Sequence, residues 1–222
     1  MKILLIHNEY INPGGEDVVL SLEEELLKKN GHDVHKLLVS NENINLSSKV
    51  AALKVGLNTI WSRVNYKKVR KKIKEIKPDI VHIHNTFPLL SPSIYWGIKA
   101  EGVPIVQTLH NYRLTCANAL LLRDRKPCEL CVGHNLLPAI KYRCYRNSFS
   151  ATLPITLMLG VHRLIGTYKN KVDAYITLTG FSKKVMEHAQ IPKEKIYVKP
   201  NFIQDPLKYI KHPKNRKKQI VF

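Results

Sequence analysis

Short apolar runs at intervals set the limits on this fold. KILLIH (2–7) is a continuous run of the kind a strand shows when both faces of a parallel sheet are covered. DVHKLLV (33–39), PDIVHIHN (78–85), VPIVQTLHN (103–111), VDAYITLT (172–179) and KIYVKPN (195–201) repeat the strand pattern. Helical spacing fills the gaps. Ser21 to Asn30 places Leu22, Leu26 and Leu27 on one face, with Asn30-Gly31 as a stop. A long basic helix has apolar positions at Leu57, Ile60, Trp61, Val64, Val69, Ile73 and Ile76. SPSIYWGIKAEG (91–102) has Pro92 in its first turn, and GFSKKVMEHAQ (180–190) follows the fifth strand. Strand, helix, strand, five or six times over, predicts right-handed crossovers and an α/β fold, a doubly wound and mainly parallel Rossmann-like sheet.

With 222 residues, 44% of them apolar, the chain can fill one core and begin something more. Residues 1–200 are expected to form the domain, with a Cys-rich insertion at 112–147. Residues 201–218 turn Pro-, Lys- and Asn-rich and read as a linker. QIVF (219–222) then reads as the truncated start of a second Rossmann-like domain, or as a strand that returns to edge the first sheet. No signal peptide opens the chain, so a cytoplasmic location is expected. SATLPITLMLGVHRLIG (150–166) is interrupted by Pro154, His162 and Arg163 and reads as a buried or interfacial helix.

Ligands of open parallel sheets bind at the carboxyl ends of the strands. His7 and Asn8, His84 and Asn85, His110 and Asn111, Thr177 and Thr179, and Asn201 all end strands and should gather on one rim. Three histidines on one rim predict a cleft. Ahead of the first helix, Gly14-Gly15 lacks the third glycine of a dinucleotide fingerprint. Two readings stand: a loop whose N–H groups approach an anionic or hydroxyl-rich ligand, or a tight turn with Glu16 and Asp17 at the helix's positive end. No paired carboxylates suggest a glycosidase.

Cys116, Cys128, Cys131 and Cys144 crowd into 29 positions, the middle two as C-x-x-C. That spacing suits a structural tetrahedral zinc, with a small hairpin in the intervening ANALLLRDRKP; reduced thiols or a redox pair are the alternatives. The net charge is +19 and one-sided. Residues 1–60 hold six basic and eight acidic side chains (−2), and the remainder 30 and nine (+21). Arg63 to Lys77 carries eight Lys or Arg against one acid, near Trp61 and Tyr66. Such a segment suits an anionic membrane surface; without a recognised nucleic-acid module, nucleic acid ranks lower, and a merely solvated basic face explains the same charge.

NPGGEDVV, PDIVHIHN, QTLHNYRLTC, TGFSKKV and VKPNFI, in this order, resemble the amino-terminal, acceptor-side domain of a family four glycosyltransferase of the GT-B type. The resemblance runs from Met1 to about Ile203. It implies two Rossmann-like domains with the active site between them, and a carboxy-terminal domain that grips most of a nucleotide-sugar donor. It further implies transfer with retention to a glycan or lipid-linked acceptor, as in bacterial surface polysaccharide or glycolipid synthesis, with no cofactor required for catalysis. On it, Gly14 and Gly15 match the glycine loop near the donor phosphate and sugar. His110 matches the histidine that approaches the transferred sugar, where it would donate to a hydroxyl. Ser182 matches a hydroxyl residue lining the cleft. Asn201 matches the asparagine of a Pro-Asn-Gly hinge, though Phe202 replaces the glycine. Glu16, His84, Asn85, Asn111 and Tyr112 complete the expected donor- and acceptor-binding set. This chain alone is expected to be inactive. A non-catalytic subunit pairing with a separate donor-binding domain, and a zinc-containing nucleic-acid binder, are the alternatives.

Overall fold

The computed structural model describes residues 1–9, 14–41 and 48–203. Asn12 and Pro13 of the glycine loop, nearly all of the 201–218 linker, and QIVF lie outside the described residues. Among the described residues, eight strands and eight α-helices run in the order β1 (Lys2–Glu9), α1 (Gly15–Lys29), β2 (Asp33–Ser40), α2 (Lys49–Ile60), α3 (Arg63–Ile76), β3 (Ile80–Ile83), α4 (Ser93–Lys99), β4 (Ile105–Leu109), β5 (Leu122–Arg123), β6 (Lys126–Pro127), α5 (Leu137–Lys141), α6 (Phe149–Leu164), α7 (Thr167–Asn170), β7 (Ala174–Thr177), α8 (Gly180–His188) and β8 (Ile196–Val198).

Six strands form one sheet in the order β2-β1-β3-β4-β7-β8, every pair parallel. The order turns back between β1 and β3, so their carboxyl ends open the crevice where doubly wound sheets bind ligands. Alternation along β1 serves the two faces. Leu4 and Ile6 enter the main core with Val69 and Ile73 of α3, Ile94 of α4 and Leu159 of α6; Ile3 and Leu5 meet Leu20 of α1 on the other side. This is the expected α/β doubly wound architecture.

Several boundaries differ from the sequence expectation, each for a local reason. The first helix begins at Gly15 rather than Ser21. Asp17 Oδ2 accepts from Gly14 N at 2.7 Å, and this acidic first turn starts the helix before its apolar face begins. The long basic helix is two helices. Trp61 is extended, and the Ser62 side chain accepts from Asn65 N to cap α3 anew. Trp61 is half-buried and its ring stacks on His162, planes 5° apart at 5.7 Å. His162 is the buried post of α6, bonded to Ile60 O and to Thr167 Oγ1, each at 2.8 Å. Close packing also fixes two glycines. A Cβ on Gly97 would stand 2.8 Å from Val69 Cγ1, and one on Gly56 3.1 Å from Pro154 Cγ, where α2 lies on α6.

Candidate functional site

The site assembles where β1, β3 and β4 end beside the start of α1. Asn8 and Asn85 build its floor rather than its lining. Asn85 Nδ2 donates to Asn8 O at 3.0 Å while its Oδ1 accepts from Phe87 N, and Asn8 bonds Asn41 Oδ1 and Leu89 N. Both side chains are buried and committed to holding the loops after their strands.

A chain of polar contacts runs along this floor. Lys199, just past β8, pairs with Glu23 Oε1; Glu23 Oε2 stands 3.5 Å from His82 Nδ1 and 3.4 Å from His84 Nε2. His84 Nδ1 is in turn 3.0 Å from His110 Nε2, the two rings stacked at 5.3 Å. His82 closes the set through Thr108 Oγ1 at 2.8 Å. Beside it, His7 Nε2 meets Asp17 Oδ1 at 2.9 Å, tying β1 to the glycine turn.

Burial by itself would raise the Glu23 carboxyl, but His84, His82 and Lys199 overcome it and hold it down at about 2. Burial, reinforced by His84, lowers His82 to about 3 and His110 to about 4, so both rings are neutral near pH 7. Among the described residues, the ligand atoms of Glu23, His82 and His84 come within 4.8 Å of one another, a spacing a metal could use. The Lys199 ammonium already supplies a cation to that carboxylate.

The other expected residues flank this floor. Glu16 Oε1 accepts from Asn111 Nδ2 at 2.8 Å and joins the first turn of α1 to the end of β4. Tyr112 reaches Ser182 Oγ at 3.1 Å, and Ser182 is also bonded to the Thr179 cap of α8. Gly14 has extended φ, and its N–H is spent on Asp17. Its turn is therefore the acid-capped one, while a Cβ on Gly15 would meet nothing within 4 Å. Asn201 is exposed, two residues beyond Lys199. The four cysteines stand apart from this floor, in the segment between β4 and α6.

Sequence reasoning did not select Glu23, His82 or Lys199, and it placed Asp17 only at the helix's positive end, not against His7. The signal for Glu23 was present: it shares a helical face with Val19 and Leu20, and an acid on an apolar face needs a cation or donors.

A family model described as Glycosyltransferase Family 4 matches residues 13–205. No curated protein matches significantly. Among solved structures, UDP-GlcNAc 2-epimerase from Methanocaldococcus jannaschii is 12% identical, with 89% of this chain and 45% of that one covered at a TM-score of 0.47. Anabaena Alr3699/HepE in complex with UDP is 15% identical, with 96% and 47% covered at 0.47. The lipopolysaccharide outer core galactosyltransferase WaaB in its apo form is 14% identical, with 89% and 45% covered at 0.45. The chain thus spans about half the length of these structures.

Proposed function

Because the chain belongs to Glycosyltransferase Family 4, we propose that it is the acceptor-side half of an enzyme that transfers a sugar, with retention, from a nucleotide-sugar donor to a glycan or lipid-linked acceptor. The bond from sugar C1 to the diphosphate oxygen breaks, the acceptor oxygen bonds C1 on the same face, and the acceptor's proton leaves with the diphosphate. Such chemistry calls for fixed dipoles around a developing oxocarbenium charge rather than for a protein nucleophile.

The observation that carries this reading is the placement of His110, stacked on His84 with its Nε2 3.0 Å from His84 Nδ1, at the same strand-end rim as the unobstructed backbone of Gly15. In this reading Gly15 lets a donor phosphate or sugar approach the positive end of α1. His110 meets a sugar hydroxyl through Nδ1, which has no bonded partner among the described residues. In this reading His110 Nδ1 donates to the sugar hydroxyl, the role the family resemblance implied, while its Nε2 faces His84 Nδ1. Asn111, Tyr112 and Ser182 would line the cleft, and Asn201 would lead into a donor-gripping second domain.

A lipid-linked acceptor fits the outer surface. No helix among the described residues is long and apolar enough to cross a membrane. On α2, however, Val50, Leu53 and Leu57 are exposed one turn apart, and on α3 Lys67, Lys71 and Lys74 face solvent. Exposed apolar side chains and cations are what the headgroup layer of an anionic leaflet takes up.

The decisive experiment is turnover of nucleotide sugars by the full-length protein. His110→Ala should cut kcat/KM by a factor on the order of 100 with an unchanged fold. Unaltered turnover would remove His110 from the site.

A further inference from the structure

The segment between β4 and α6 holds a feature that sugar transfer does not use. Cys116, Cys128, Cys131 and Cys144, separated by up to 28 positions, all line one cavity of about 20 Å³, room for a single water-sized sphere or ion. Local structure brings them there. Asp124 and Arg125 both have positive φ and close the two-residue turn of the β5–β6 hairpin, which delivers Cys128; Val132 N bonding Glu129 O closes the C-x-x-C turn. Cys144 N bonds Ala139 O at the end of α5. We propose that this cavity is a structural zinc site with the four thiolates of Cys116, Cys128, Cys131 and Cys144 as its ligands.

Two further observations point the same way. Arg123 lines the cavity over the Tyr142 ring; its Nε stands 3.5 Å from Asp124 Oδ2, and its buried Nη1 has no hydrogen-bond partner. Arg163 reaches in from α6 to the carbonyls of Thr115 and Cys131 at 3.0 and 3.3 Å. Four thiolates around Zn²⁺ carry a net charge of −2, and two guanidiniums stand where that charge would lie. The backbone supplies the second observation. Seven of the ten described non-glycine residues with positive φ fall between Cys116 and Asn147. Left-handed backbone at residues with a Cβ persists only where something holds it, and this segment has little apolar core of its own.

The Cys116 thiol donates to Asn118 Oδ1 at 2.9 Å. No three of the sulfurs lie within 4.8 Å of one another. Zinc–sulfur bonds of about 2.3 Å require all four to close in, with release of their protons.

The test uses the full-length protein under reducing conditions, stripped with chelator and titrated with Co²⁺ alone. One cobalt per chain, with thiolate-to-cobalt charge-transfer absorption and tetrahedral d–d bands, is the expected result. Zinc in the untreated protein should protect all four cysteines from alkylation, and Cys128→Ser and Cys144→Ser should each weaken binding at least tenfold. Cobalt bound without thiolate charge transfer, as it would be at Glu23, His82 and His84, overturns the proposal. So do bands that survive in both variants. If the variants do not fold, equal alkylation of the unaltered protein with and without metal overturns it as well. None of these readouts depends on sugar transfer.

Discussion

His84 Nδ1 lies 3.0 Å from His110 Nε2, and through His84 the buried Glu23 on α1 acts on a ring at the end of β4. On the proposed function, Glu23 positions His110. Replacing it by Gln removes the charge that faces His84 Nε2 while keeping the side chain's shape. Glu23→Gln should lower kcat about tenfold with KM nearly unchanged and should alter the pH profile of kcat; Glu23→Asp should recover part of the loss. A merely structural role would leave the pH profile in place.

The same groups set the acid limit of stability. His82 and His110 are held below their ordinary value, so the unfolded chain takes up protons as pH falls below about 6.5 while the folded one does not. Glu23 adds to this in the same direction. Its carboxylate contributes stability that is fully present above pH 4.5 and lost as pH falls towards 2. Thermal melting should therefore decline from pH 6.5 downward. In His110→Gln the decline between pH 6.5 and 4 should be shallower, by up to about 1.4 kcal/mol per pH unit. An unchanged slope would mean that His110 is not held neutral.

The two kinds of glycine here should respond in opposite ways. Gly97→Ala pushes a methyl against Val69 and the Tyr66 carbonyl, and overpacking of this kind costs about 1–3 kcal/mol. Gly15→Ala meets nothing in the fold and sits in a helical first turn, so stability should hold or rise by about 0.5 kcal/mol. Its cost should fall on turnover, through the methyl's intrusion on the donor. Denaturant titration alongside kinetics separates the two, and a fully active Gly15→Ala would detach the glycine turn from the donor.

The sheet was legible because a parallel strand covered on both faces leaves a short continuous apolar run, and here turn residues bound each run at strand length. The strand-end histidines were legible for the same reason, since topology alone places their rim. What escaped was set by tertiary contact. The split at Trp61 and Ser62 depends on a cap and on a stack with His162, about 100 residues away. Asn85 reads as a ligand residue from its position, and only the register with Asn8 shows its amide spent on backbone. Lys199 pairs with Glu23 across 176 positions, and no local pattern announces such a pair.

The exposed apolar turns of α2 and the cations of α3 give a last prediction. If they meet a membrane together, neither alone should suffice. The full-length protein should bind phosphatidylcholine vesicles containing phosphatidylglycerol, bind pure phosphatidylcholine poorly, and release as ionic strength rises. Each lysine near the surface contributes about 1 kcal/mol, so reversing two with Lys67→Glu and Lys71→Glu should weaken binding at least tenfold. Leu53→Ser with Leu57→Ser should weaken it comparably while leaving α3 and its charge intact, because both leucines face solvent. If the charge reversals abolish binding and the serine pair changes nothing, α3 is an electrostatic surface and α2 takes no part in docking. If neither pair matters, the acceptor reaches the cleft without this face.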